Sequence, residues 1–169
     1  MINWFKKYWD IVFINLFTLV VSISMFVYYG NKIEIIGAIL ATGISISFGV
    51  RQYKMENDKM FKELFENFNS KYDDKFNDRL NKIDEDYQNN KLTIDEKDML
   101  LIIDYLNFCS EEYLWYRKGR IPEIVWQSWE NGMLYFLNLE PINNIIQTQK
   151  KQKTSYYGLF EKLGKRLNN

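Results

Sequence analysis

The chain has no histidine and one cysteine, Cys109. These two absences exclude the usual zinc sites, His-dependent triads and imidazole acid–base chemistry, and with them any intrachain disulfide. Every glycine stands alone, so no glycine-rich loop is present to cradle a phosphate. Proline occurs twice, at Pro122 and Pro141, and neither glycine nor proline interrupts the chain between Gly49 and Gly119. Net charge is missing too: 22 Lys and Arg balance 22 Asp and Glu, without an arginine cluster, so nucleic acid is not an expected partner. We expect no catalytic residue, no metal site and no cofactor.

What is present begins with two apolar runs free of charge, Ile11 to Tyr29 and Ile35 to Val50, separated by a five-residue loop. At a rise of 1.5 Å per residue the first spans roughly 28 Å, close to a bilayer core, and the second is slightly shorter. The pattern predicts a two-pass transmembrane hairpin over residues 1–50, with the lipid bilayer as its first partner. A cleavable signal peptide fits less well, because the run is long, lacks a small-residue exit before Tyr28 and Tyr29, and is followed by a second span. Lys6 and Lys7 precede the first span, and Arg51, Lys54 and Lys59 follow the second. The positive-inside rule then places both termini in the cytoplasm, with Trp4, Phe5, Tyr8 and Trp9 in the inner aromatic belt.

Each span carries one pattern of its own. Gly37, Ala41, Ser45 and Gly49 recur every four residues, a ridge of small side chains where a second backbone can come close. Asn15, Thr18 and Ser22 form a polar stripe on the first span. Packing of the hairpin, or of its copies, explains both; a wet cleft or pore in a homo-oligomer is the sharper reading of the stripe.

Residues 51–91 read as a helical stalk. Phe61, Phe65, Phe68, Tyr72, Phe76, Leu80, Ile83 and Tyr87 are spaced by about 3.7 residues on average, on a helix too polar to be stable alone. We expect copies to cover that stripe as a coiled coil, in preference to the distal domain folding back on it. Residues 92–169 read as a small cytoplasmic helical domain. Its first helix opens at a T-x-x-E capping box, Thr93 to Glu96, and ends at Gly119. Pro122 suits the first turn of the next helix and Pro141 another segment; Gln147 to Thr154 reads as loose, and Tyr156 to Leu163 as a terminal helix. The fold class is therefore all-α: transmembrane hairpin, long stalk, small helical domain.

Three groups in the distal domain invite chemistry. Glu112 sits between Phe108 and Trp115 on its helix, and Asp104 and Glu111 share another side. Without a base, nucleophile or metal ligand beside it, Glu112 is expected to bond to Arg117, Arg120 or a tryptophan N–H. Cys109 lies on an apolar face and is expected to be a small buried hydrophobe. The last 28 residues carry six basic side chains, Lys150, Lys151, Lys153, Lys162, Lys165 and Arg166, against Glu161 alone. These are candidate contacts to anionic lipid, with a solvated tail as the plainer reading.

Tyr105-Leu106-Asn107-Phe108, Glu111-Glu112, Arg117-Lys118-Gly119, Ile121, the Trp126 to Gly132 segment and Tyr156 to Leu163 together resemble a group of uncharacterised bacterial membrane-tethered proteins. These carry one or two N-terminal spans and a cytoplasmic helical domain of unknown function. The resemblance covers about the last 60 residues, and Pro122 stands where the group often has an acidic cap. It implies the bacterial inner membrane and raises the class of small anti-phage defence effectors. Two functions follow as expectations: an oligomerising, non-enzymatic effector that perturbs the membrane, or a membrane-anchored adaptor whose cytoplasmic domain binds a protein partner.

Overall fold

The computed structural model describes residues 2–30, 33–152 and 155–167. It is helical throughout, with no strand among the described residues. The elements are α1 (Ile2–Tyr29), α2 (Ile33–Tyr72), a π-helical turn (Asp73–Asn77), α3 (Asp78–Gln88), α4 (Glu96–Arg117), α5 (Glu123–Leu137), α6 (Glu140–Gln149) and α7 (Leu159–Leu163). They form two compact units, Met1–Lys59 and Met60–Asn169. The boundary falls within α2, and the part of the stalk from Met60 onward belongs to the same unit as the distal helices.

In the first unit α1 and the start of α2 form the hairpin. Ile11, Ile14, Thr18, Val21 and Met25 of α1 are half-buried, as are Ile36, Ile39, Ser47 and Val50 of α2, with Gly43 buried among them. Their steps of three and four residues are those of two helices packed side by side. Helical dihedrals break at Tyr8 (φ −118°, ψ 15°). Beside the break lie ion pairs from Lys54 to Asp10 (2.7 Å) and from Lys7 to Asp58 (2.5 Å). Lys54 also donates to the Lys7 carbonyl, and the Ile11 N–H donates to the Asp10 carboxylate at 3.0 Å. Asp10 thus supplies an acceptor to a backbone N–H where the apolar run begins.

In the second unit α4 is the central helix, packed by α5, α6, α7 and the turn before α7. Phe68, Phe76, Leu80 and Ile83 of the former stalk are buried in one core with Ile102, Leu106, Trp126 and Ile146. The expectation that this stripe meets its own copies therefore fails from Phe68 onward: those side chains are already covered within the chain. Successive steps of four from Phe68 to Leu80 would drift about 40° each on a 3.6-residue helix. The π turn, with its wider i→i+5 pitch, keeps Phe76 on the buried side. Its ring meets those of Tyr105 and Phe108, with centroids 5.5 and 5.2 Å away.

Charge follows the same antiparallel pairing. Lys71, Lys75 and Arg79 face Glu111, Asp104 and Asp98 at 3.4, 2.7 and 2.5 Å. The first two pairs are exposed and contribute little. The Asp98 side chain is only 3% exposed and receives both Nε and Nη2 of Arg79.

Helix ends depart from expectation by small, explicable amounts. Asp95 rather than Thr93 caps α4, in a box closed by Asp98 rather than Glu96. That register leaves Leu92 and Ile94 to pack against the core. At the other end Gly119 takes φ 68°, and the Arg120 N–H reaches the Trp115 carbonyl, as a left-handed helix cap requires. Pro122 sits one residue before α5, and Pro141 lies in the first turn of α6. The segment expected to be loose is helical through Gln149, while Lys153 and Thr154 lie outside the described residues. The expected helix from Tyr156 instead begins with a tight turn in which Tyr156 (φ 66°) and Tyr157 (φ 51°) are left-handed, and α7 follows from Leu159. Arg117 donates to the Tyr157 carbonyl at 2.8 Å and ties that turn to the end of α4.

Candidate functional site

The small-residue ridge and the hairpin seam are different faces of α2. A β-carbon at Gly43 would lie 2.7 Å from Thr18 Cβ, so this glycine is where α1 and α2 make their close approach. Gly37, Ala41, Ser45 and Gly49 are all exposed, and a β-carbon at Gly37 or Gly49 would have no neighbour within 4 Å. Ala41 and Ser45 each stand two residues from Gly43, about 200° around the helix, and so lie opposite the seam. The ridge does not pack the hairpin together. Gly43 was missed in the sequence because the four-residue ridge masks the three-and-four spacing that runs beside it.

The polar stripe of α1 is divided. Asn15 is exposed and donates to the Ile11 carbonyl at 2.8 Å. Thr18 is half-buried against Gly43 and donates to the Ile14 carbonyl at 2.8 Å. Ser22 is buried, and its hydroxyl has no hydrogen-bond partner among the described residues. Two of the three therefore face α2 within one hairpin, leaving Asn15 on the outside.

The second unit contains a cavity of about 230 Å³ lined by Asn69 and Tyr72 of α2, Tyr105, Phe108 and Glu112 of α4, and Ser128, Trp129, Gly132 and Met133 of α5. The π turn begins directly after Tyr72, which brings one end of this wall to its place. Glu112 is 4% exposed. It bonds to neither of two groups expected of it: Arg117 holds the Tyr157 carbonyl, and the buried Trp126 Nε1 has no partner among the described residues. Burial pushes its carboxyl well above the usual range; neighbouring Glu111 adds to the effect and Lys71 offsets part of it. A neutral carboxyl here carries one O–H donor and keeps acceptor capacity. Cys109, fully buried one turn earlier, has its thiol pushed well up by burial and then by Glu112, so it is an inert hydrophobe rather than a nucleophile. Tyr105 is raised the same way, by burial first. In the sequence Glu112 stood out only as an acid among aromatics; the lining from α2 and α5 depends on tertiary packing.

Of the basic tail, Lys151 and Lys162 are exposed and Lys150 is half-buried. Lys162 lies over the Tyr116 ring, 5.6 Å from its centroid. Arg166 is paired with the buried Glu130, so its charge is neutralised within the fold. Lys153 and the Lys165 side chain lie outside the described residues. No three His, Cys, Asp or Glu side chains converge as metal ligands among the described residues. No protein-family model matches the chain, and no curated protein or solved structure matches it.

Proposed function

We propose that this chain is a two-pass protein of the bacterial inner membrane, both termini cytoplasmic, and a non-enzymatic effector whose hairpins cluster and perturb the bilayer in anti-phage defence. Two helices near the N-terminus are long and apolar enough to cross a membrane, and only 6% of each apolar window is buried. A core helix of a water-soluble protein would be covered instead; here Phe13, Phe17, Val20, Ile44 and Phe48 are at least half exposed. The observation that carries the clustering step is the uncovered ridge of Gly37, Ala41, Ser45 and Gly49. In lipid, helix association is driven by close backbone packing, which such a ridge permits.

The test is membrane potential, followed with a voltage-sensitive dye in bacteria induced for the full chain and for Gly37→Leu. Depolarisation by the full chain that Gly37→Leu abolishes at equal membrane level supports the reading. Equal depolarisation by both refutes the role of the ridge, and none by either refutes the effector.

A second reading, the anchored adaptor, is favoured by apolar side chains left uncovered in the second unit. Leu100 is 55% exposed and Ile124 77%. Replacing the whole hairpin with an unrelated one preserves function under this reading and destroys it under the first.

A further inference from the structure

Among the described residues Glu112 is the one acid lining the cavity of the second unit, and no Lys or Arg lines it. The nearest base, Lys71, is turned elsewhere: it pairs with Glu111 at 3.4 Å and lies over the Phe108 ring, 5.5 Å from its centroid. The residue is more than nine-tenths buried, its carboxyl makes no hydrogen bond to a described residue, and it lines a space far larger than itself. The cavity mouth lies at Ser128 and Gly132, both exposed, so a ligand can enter from solvent and reach the carboxyl. Four of its lining residues, Tyr72, Tyr105, Phe108 and Trp129, are aromatic, and aromatic faces favour cations.

We propose that this cavity binds a small primary amine, its ammonium held by the Glu112 carboxylate and its apolar part lodged among the rings of Tyr72, Phe108 and Trp129. A primary ammonium has three N–H donors. Glu112 accepts one, and the side-chain oxygens of Asn69 and Ser128, which also line the cavity and bond to no described residue, are the remaining acceptors. A quaternary ammonium would leave those oxygens unbonded, and the volume excludes a nucleotide or a folded peptide segment. The inference goes beyond the proposed function and does not depend on whether the hairpins cluster.

Proton balance gives the site a signature. The bound amine stays protonated, and the raised Glu112 carboxyl must ionise to hold it, so ligand binding is coupled to release of protons to solvent. The titratable groups around Glu112 are Glu111, Cys109 and Tyr105 on α4 and Lys71 and Tyr72 on α2. α5 contributes only Ser128, Trp129, Gly132 and Met133 to the lining.

The experiment is calorimetric titration of the full chain in detergent micelles with benzylammonium, in two buffers that differ in ionisation enthalpy and contain no primary amine. Benzyl alcohol serves as the neutral counterpart. The expected result is saturable binding of benzylammonium with net release of protons, and much weaker binding of the alcohol. Glu112→Gln, which keeps the shape of the neutral carboxyl, should weaken benzylammonium at least about tenfold. Gly132→Leu should weaken it as well by filling the space, since a β-carbon there meets nothing within 4 Å. Thermal melts of both variants verify the fold. Equal binding of amine and alcohol, unchanged binding by Glu112→Gln, absence of proton release, or no saturable binding would each overturn the proposal.

Discussion

Glu112 should make the second unit less stable as the pH rises. In the folded chain Glu112 is 4% exposed, bonds to no described residue and lies beside Glu111, so burial first and Glu111 second hold its pKa well above the unfolded value. A raised folded-state pKa means that protonation favours the fold. The contribution is present in full below the unfolded pKa of about 4.3 and is lost as the pH climbs through the folded value. Between the two values the folded chain holds one proton more than the unfolded chain. Stability then falls by about 1.4 kcal/mol per pH unit from this group alone. For a unit of this size that corresponds to roughly 6 °C in Tm per pH unit. The assay is thermal unfolding of the full chain in micelles, followed by near-UV circular dichroism of the tryptophans, from pH 4.5 to 9, for wild type and Glu112→Gln. The difference between the curves isolates Glu112 from every other titrating group. It should widen in favour of the variant as pH rises. Parallel curves would refute a neutral, unpartnered Glu112.

Asp98 should behave in the opposite sense. Arg79 holds its carboxylate below the usual range, so its contribution is present above the unfolded value of about 3.9 and is lost as the pH falls through the folded one. Asp98→Asn removes both the pair and half of the α4 capping box; because Arg79 is 41% exposed, the expected loss is about 2 kcal/mol, read by urea denaturation. Phe76→Ala empties a fully buried site between Tyr105 and Phe108 and should cost about 3–5 kcal/mol in the same measurement. Gly43→Ala should push α1 away from α2 at Thr18, at about 1–3 kcal/mol, whereas Gly37→Ala should leave the hairpin unchanged. Spin labels at Leu19 and Ile44 should report a longer, broader distance for the first variant only.

The elements legible in the sequence were those set by local chemistry. The two apolar runs, the αL glycine at Gly119 and the prolines near the starts of α5 and α6 each act within a few residues. What escaped depends on partners distant in the chain. The successive four-residue steps around Phe76 looked like an eleven-residue repeat, yet they reflect a π turn that only packing on Tyr105 and Phe108 stabilises. Thr93 made a good local cap but lost to Asp95, whose box partner Asp98 is also claimed by Arg79. Tyr156 and Tyr157 adopt left-handed conformations that no propensity favours, held through Arg117 and burial of Tyr156. The cavity draws its walls from three helices, and the sequence offered only Glu112 among aromatics.

The central claim is that copies of this chain meet along the ridge opposite the hairpin seam. Oxidative cross-linking of Ala41→Cys in isolated membranes tests it most directly, with Phe17→Cys, 62% exposed in the native chain on α1, as the comparison and the buried Cys109 left in place. The account predicts a covalent dimer from Ala41→Cys at low expression, little from Phe17→Cys, and loss of the dimer when Gly37→Leu is added. Equal cross-linking at the two positions, or none at Ala41, would contradict it.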